Sequence, residues 1–174
     1  MTGWRIRDAR GSDRDAIEAV TLSAYQQYAA MMPAVWEAYR QNILATLAAA
    51  QPDAQIVAEA DGRIVGSLLL YPMGTVIARP GGGSMTLASP EVRLLAVAPS
   101  ARGRGVGAAL MDECVRRARE SGAKALTLHT TDIMEAAVRL YERMGFQRAP
   151  ELDFQPAPGV TIKGYRLGLE EMVG

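Results

Sequence analysis

Residues 91–110, EVRLLAVAPSARGRGVGAAL, decide how this sequence is read. The apolar run 91–97 has the length and composition of a buried strand. It stops at Pro99. A short basic loop with Gly103, Gly105 and Gly107 follows, and a helical pattern then opens. Glycine removes the Cβ where a ligand must approach the backbone closely. The first amides of a helix have no partner inside it, and the helix dipole favours an anion at that end. Arg102 and Arg104 add fixed positive charge and fork-shaped donors. Strand, loop and helix together describe a diphosphate cradle made by Arg102, Gly103, Arg104, Gly105, Val106, Gly107 and Ala108.

Three cradles fit that description to different degrees. A P-loop needs a lysine after its last glycine, and none stands here. A dinucleotide fingerprint is formally met by Gly103, Gly105 and Ala108. However, the strand and the first glycine are separated by APSAR, the motif lies in the second half of the chain, and no acidic strand-end residue falls about 20 positions on, where ribose binding needs one. The pattern R-x-x-G-x-G is met by Arg102, Gly105 and Gly107 directly after an apolar strand. A plain glycine-rich surface turn is the bland alternative.

Working outward, residues 4–7 read as an opening strand. Ser12 reads as the start of a helix, with Asp15 three positions on as its capping partner. Pro33 interrupts the helical tendency before a second helix over 34–49. Residues 55–60 and 63–71 flank Asp61-Gly62, a strong hairpin signal. Residues 72–90, rich in Gly and Pro, read as a long mobile connection or an irregular hairpin. A helix over 105–120 carries the stripe Leu110, Met111, Cys114, Val115 and Ala118, which makes Cys114 an inert core thiol. A strand over 125–130 follows. Asp132 with Glu135 is positioned to cap a helix carrying Leu140 and Tyr141 and closed by Gly145. A Pro-rich stretch over 150–159 precedes a closing strand over 160–169. The pattern is α+β, with mixed α/β layers in one domain over 1–174.

Composition excludes several classes. The chain has 174 residues, 49% apolar and 22% charged, close to the globular average. Nineteen basic residues balance nineteen acidic ones, so there is no electrostatic footprint for nucleic acid or an anionic membrane. One cysteine forms no internal disulfide, and one histidine with one cysteine supplies no zinc site of the usual N/S type, so no metal is expected. No apolar run approaches the ~18 residues of a membrane span. The first residues lack the apolar core of a secretory signal, so the expected location is the cytoplasm.

With R-x-x-G-x-G after a strand and LYERMGF over 140–146 some forty residues later, the sequence resembles the GNAT superfamily of acyl-CoA N-acyltransferases. The resemblance is close over about 91–148, and the order of elements extends it over nearly the whole chain. It implies a central mixed sheet splayed between the strands at 91–97 and 125–130 and flanked by about four helices. It implies acetyl transfer from acetyl-CoA to a primary amine of a small molecule or peptide. Residues 102–108 would hold the coenzyme A diphosphate, and the backbone of Leu95, Ala96 and Val97 would pair with the pantetheine arm. Tyr141 would protonate the departing thiolate, and Glu91, at the start of the strand, would act as general base, often through water. On that footing Glu91→Gln is expected to lower turnover mostly at low pH. The family often has an asparagine seven residues before the motif tyrosine, where this chain has Met134.

The resemblance also implies that the first helices recognise the acceptor. Tyr28, Met32 and Trp36 are the residues singled out there; such large apolar and aromatic groups favour an apolar or flat amine over a polyanion, and the region has no acidic cluster that would suit a polyamine or an aminoglycoside. His129 reads either as a base or as a polar group satisfied by backbone. A homodimer is compatible with the family. A non-catalytic acyl-CoA sensor is the alternative from another class, and a dinucleotide-dependent oxidoreductase is a distant third.

Overall fold

The computed structural model describes residues 3–51, 54–78 and 82–170. The described residues form ten strands: β1 (Arg5–Asp8), β2 (Gln55–Ala60), β3 (Arg63–Tyr71), β4 (Val76–Ala78), β5 (Ser84–Thr86), β6 (Glu91–Val97), β7 (Ala125–Thr130), β8 (Gln147–Arg148), β9 (Phe154–Ala157) and β10 (Val160–Gly168). The four α-helices among the described residues are α1 (Arg14–Tyr25), α2 (Trp36–Ala49), α3 (Val106–Glu120) and α4 (Glu135–Arg143). The class is mixed α/β, as the sequence pattern predicts, with a mostly antiparallel central sheet. The chain divides into two compact units, residues 1–70 with 94–113, and residues 71–93 with 114–174.

In the first unit β1 pairs β2, and β2 pairs β3, both antiparallel. The hairpin turn is the predicted Asp61-Gly62, with φ of 52° and 76°. Both residues are left-handed, which is the type I′ geometry that matches the twist of the flanking strands. Two neighbouring residues of β3 show how the layers pack. Ser67 is buried, and its Oγ lies 3.4 Å from Thr21 Oγ1 on α1. At Gly66 a Cβ would meet Val106 Cγ1 and Leu110 Cδ1 at 3.0 Å and the Ala96 carbonyl at 3.1 Å. Successive strand residues face opposite ways, so α1 covers one face of β3 and the first turns of α3 cover the other. Leu110 is fully buried there, with Ile56 and Val57.

The start of α1 differs from the sequence expectation. A 3₁₀ turn at Gly11–Asp13 precedes the helix, and Asp13 rather than Ser12 or Asp15 organises it. Its Oδ2 accepts the Arg10 amide at 2.7 Å and Arg7 Nη1 at 2.7 Å. The Arg7 hydrogen bond, partly opposed by burial, holds the Asp13 carboxyl below its usual range.

In the second unit β6 and β7 are parallel, with a ladder recorded at Glu91↔Thr127 and Val92↔Leu128. β10 pairs β7 antiparallel over all six residues of β7. β8 and β9 also pair β10. The segment over 72–90 takes the irregular-hairpin alternative, because β4 pairs β5. Residues 79–81 at its centre lie outside the described residues. The predicted Asp132 cap on α4 does not form. Met134 is the N-cap, and no side chain caps it. Asp132 instead accepts Lys163 Nζ at 2.7 and 2.8 Å. A lysine on β10 offers that carboxylate a full charge, which backbone amides do not.

The candidate active site

In the first unit the loop after β6 has the geometry its glycines predict. A 3₁₀ turn at Pro99–Ala101 is followed by Arg102 in extended conformation. Gly103 and Gly105 have φ of 74° and 84°. A Cβ at Gly103 would find nothing within 4 Å, and at Gly105 only the Trp4 ring at 3.7 Å. Glycine is therefore required there by backbone handedness, not by crowding from the protein. Helix α3 starts at Val106, and its first recorded i→i−4 bond runs from the Ala109 amide to the Gly105 carbonyl at 3.0 Å. The amides of Val106, Gly107 and Ala108 precede that rung. An exposed loop opening onto a helix start, with Arg102 and Arg104 in it, fits a diphosphate.

The strand feeding the loop has a feature with no glycine to announce it. Leu94 has φ of 54°. An L-residue in this region costs about 1–2 kcal/mol, and such strain gathers at functional sites. It lies between Glu91–Arg93 and the residues Leu95, Ala96 and Val97 assigned to the pantetheine arm.

The same unit gathers the predicted acceptor residues. Tyr28 lies in the 3₁₀ turn Gln26–Met31, Met32 ends that turn, and Trp36 begins α2. Tyr25 links Tyr28 and Tyr39, with ring centroids 6.0 and 6.1 Å away, and Trp36 meets Tyr39 at 6.1 Å. Burial pushes the Tyr39 hydroxyl up to about 12, with the neighbouring Tyr28 adding to it. Tyr28, Met32 and Trp36 stay half-buried, whereas Tyr25 is buried. Arg102 Nη2 donates to the Ala24 carbonyl at 3.2 Å. Burial raises the Tyr28 hydroxyl, and the Arg102 charge partly offsets that. The glycine loop is thus tied to the end of α1, just before the aromatic turn, by a contact between residues 78 positions apart.

In the second unit Glu91 is one of the most buried charged residues, at 2% exposure. Its Oε2 accepts Arg93 Nε at 2.9 Å, and its Oε1 lies 3.1 Å from His129 Nδ1. Thr127 Oγ1 stands 3.5 Å from the same oxygen. Burial alone would raise the carboxyl, but the hydrogen bond and charge of His129, with Arg93, outweigh it and hold Glu91 below its usual range. The far side of the imidazole, Nε2, lies 2.9 Å from the Leu152 carbonyl. The Phe154 ring meets the imidazole edge-on at 5.3 Å. The Arg93 guanidinium lies over the Tyr71 ring at 5.6 Å.

Tyr141 is buried on α4, its ring 5.9 Å from that of Phe146. Its carbonyl accepts the Phe146 amide at 3.0 Å, which ties LYERMGF into one unit. Met134, in place of the asparagine, is buried at the start of the helix. Arg93, Thr127 and the Leu152 carbonyl escaped the sequence reading. Period-two spacing places Glu91 with Arg93, and Thr127 with His129, on common faces. Nothing in the sequence marks the Leu152 carbonyl. Among the described residues, no three His, Cys, Asp or Glu side chains gather as a metal site, and no helix is long and apolar enough to cross a membrane.

Known proteins share this architecture. A structure from Brucella melitensis, a GNAT family acetyltransferase in complex with acetyl-CoA, superposes with a TM-score of 0.62 at 22% identity, over 97% of this chain and 90% of that one. A mycothiol acetyltransferase of Propionibacterium freudenreichii is 43% identical over 56 residues, 32% of this chain and 18% of that protein. An uncharacterised N-acetyltransferase of Schizosaccharomyces pombe is 32% identical over 89 residues, 51% of this chain and 53% of that protein. The chain thus spans about a fifth to a half of these two curated relatives. The family model for the GNAT acetyltransferases matches residues 21–146, most of the sequence, from the last turn of α1 through α4, and the chain belongs to that family.

Proposed function

We propose that residues 1–174 form one cytoplasmic acyltransferase domain that moves an acetyl group from acetyl-CoA to an amine. The observation that carries this reading is the run from the left-handed Leu94 to the glycine loop and the start of α3. Arg102, Gly103, Arg104, Gly105, Val106, Gly107 and Ala108 hold the diphosphate through helix-start amides and two guanidinium groups. The backbone of Leu95, Ala96 and Val97 pairs with the pantetheine arm, as an extra strand would. Tyr28, Met32 and Trp36 meet the acceptor, and their flat apolar surfaces favour an aromatic or aliphatic amine.

The neutral amine attacks the thioester carbon. A C–N bond forms and the C–S bond breaks. Tyr141 donates its hydroxyl proton to the departing sulfur and recovers one from solvent. The proton lost by the amine passes to water. Glu91, paired with His129 and Arg93, is an anion throughout the neutral range. It serves by orienting that water with a fixed charge. The low-pH loss expected for Glu91→Gln therefore moves out of the working range, and the variant is slow across pH 6–9. Most of the rate comes from holding thioester and amine together.

A thermal-shift scan with coenzyme A, acetyl-CoA and NAD tests the first step. Ligand at 100 times its dissociation constant stabilises by about 2.7 kcal/mol, so the two coenzyme A species should raise Tm and NAD should not. A response to NAD alone overturns the reading. Thiol release with pooled amines then tests transfer, and coenzyme A binding with no turnover on any amine favours the sensor.

A further inference from the structure

His129 lies with both ring nitrogens against groups that only accept. Nδ1 faces the Glu91 carboxylate at 3.1 Å and Nε2 faces the Leu152 carbonyl at 2.9 Å. A neutral imidazole carries one N–H and leaves one of these two contacts without a proton. The imidazolium carries two and satisfies both. From this geometry we infer that His129 is an imidazolium in the folded protein and a positioning residue, one that fixes the Glu91 carboxylate with one nitrogen and fastens the turn at 150–154 with the other.

The sequence builds this bridge from several directions. Gly164 stands opposite His129 in the β7–β10 ladder. A Cβ there would come within 2.4 Å of Leu152 Cβ and 3.0 Å of the Ala149 carbonyl. The glycine at 164 is thus what lets the turn lie across β10 with its Leu152 carbonyl against the ring. Asp153 holds the same turn from its other side. It accepts the Gly164 amide at 2.8 Å and Arg148 at 2.9 and 2.7 Å. Phe154 closes over the ring edge.

The charged groups facing His129 are Glu91 and Arg93 from β6 and Asp153 from the turn. Thr127 on the same face of β7 and Gly164 on β10 carry no charge. Burial alone would lower the His129 pKa, but the Glu91 hydrogen bond and charge and the Leu152 carbonyl outweigh burial and the Arg93 charge, and the net shift is upward. As pH rises through that value the ring gives up one proton to solvent, and one of its two acceptors loses its donor.

That Glu91 serves acyl transfer rests on the reading above, whereas the state of His129 does not. His129 is the single histidine of the chain, so one ¹⁵N-histidine label reports it without assignment. At pH 7 both ring nitrogens should show protonated shifts, with the midpoint above that of the urea-unfolded chain. Glu91→Gln should bring the midpoint down to or below the unfolded value. In His129→Gln, where an amide cannot donate along both directions, hydrogen exchange at the Leu152 and Asp153 amides should quicken about tenfold or more while the β10 amides near Leu167 stay protected. A single neutral tautomer at pH 7 overturns the inference, as does a midpoint that ignores Glu91→Gln. Should His129→Gln fail to fold, the label and Glu91→Gln still decide. Failure of coenzyme A to bind sinks the transferase reading and leaves these spectra unchanged.

Discussion

The loop at 102–108 and the Glu91–His129 pair both concentrate charge, and they use it in opposite ways. The loop keeps Arg102 and Arg104 exposed and lets glycines shape the backbone. Its positive charge stays at the surface and costs the fold little until an anion arrives. The pair is buried, with the Glu91 side chain 3% exposed and that of His129 16%. Its charges have left water and must be matched by protein partners. The charges of a region built to bind can therefore be altered with small effect on folding. A region built to orient cannot, because its partners are already committed to one another.

The largest effect that sharpens this contrast is on stability. Glu91→Leu leaves His129 and Arg93 without their shared anion. Removing one member of a buried pair costs about 3–5 kcal/mol, more than a surface change costs by an order of magnitude. Urea denaturation should show a loss of this size, with less for Glu91→Gln, which keeps shape and hydrogen bonding. A loss below about 1 kcal/mol for Glu91→Leu would place the pair among ordinary surface ion pairs and remove the contrast.

The loop should show the reverse pattern. Gly105→Val forces a β-branched residue into a φ of 84° and puts side-chain bulk where the diphosphate should lie. Coenzyme A affinity, read by calorimetry, should fall by tenfold or more, which corresponds to at least about 1.4 kcal/mol. Arg104→Glu should weaken binding several-fold at low salt and less at high salt, since its effect is electrostatic. Unchanged affinity in both variants would move the diphosphate elsewhere.

Tyr141→Phe lies between these extremes. The ring keeps its packing against Phe146, so the fold and coenzyme A affinity should hold. General acid catalysis typically contributes ~10²–10⁴ in rate, and a thiolate leaves readily unaided, so the loss of turnover should be about tenfold. Parent turnover across pH 6–9 would take the acid role away from Tyr141.

How much of this was legible follows the same division. The cradle was readable because its determinants are local: three glycines and two arginines within six residues, between a strand and a helix. The strands at 55–60, 63–71, 91–97 and 125–130 were readable to the residue for a like reason, since short apolar runs and the Asp61-Gly62 turn are short-range signals. Leu94 was not, because nothing in its side chain announces a left-handed backbone. The Asp132 cap was misjudged because Lys163, on another strand, takes that carboxylate, and Ser12 was taken for the start of α1 because nothing local shows that Arg7 and the Arg10 amide converge on Asp13. The Leu152 carbonyl was invisible because any residue offers one.

The smallest effect concerns how the turn at 150–154 responds to acid and to base. Asp153 is held down to about 2 from an ordinary 3.8, chiefly by the Arg148 hydrogen bond and then by the Gly164 amide. A depressed carboxyl contributes stability that is fully present above its unfolded value and is lost as pH falls through the folded one. The Asp153 share should therefore fade from about pH 4 toward pH 2. His129 works in the other direction. Its folded value is raised, so its share is complete below the unfolded value and is lost as pH climbs through the folded one. The turn should be most firmly held between these limits, in mildly acidic solution. Because Asp153 is partly exposed, salt screens its pair with Arg148, and the acid limb should be shallow. Asp153→Asn should flatten the acid limb of a stability–pH curve and leave the alkaline limb alone. Glu91→Gln should move the alkaline limb, because His129 then loses the partner that raises it. A curve in which Asp153→Asn alters the alkaline limb and Glu91→Gln does not would show that the two fastenings of this turn have been assigned to the wrong residues.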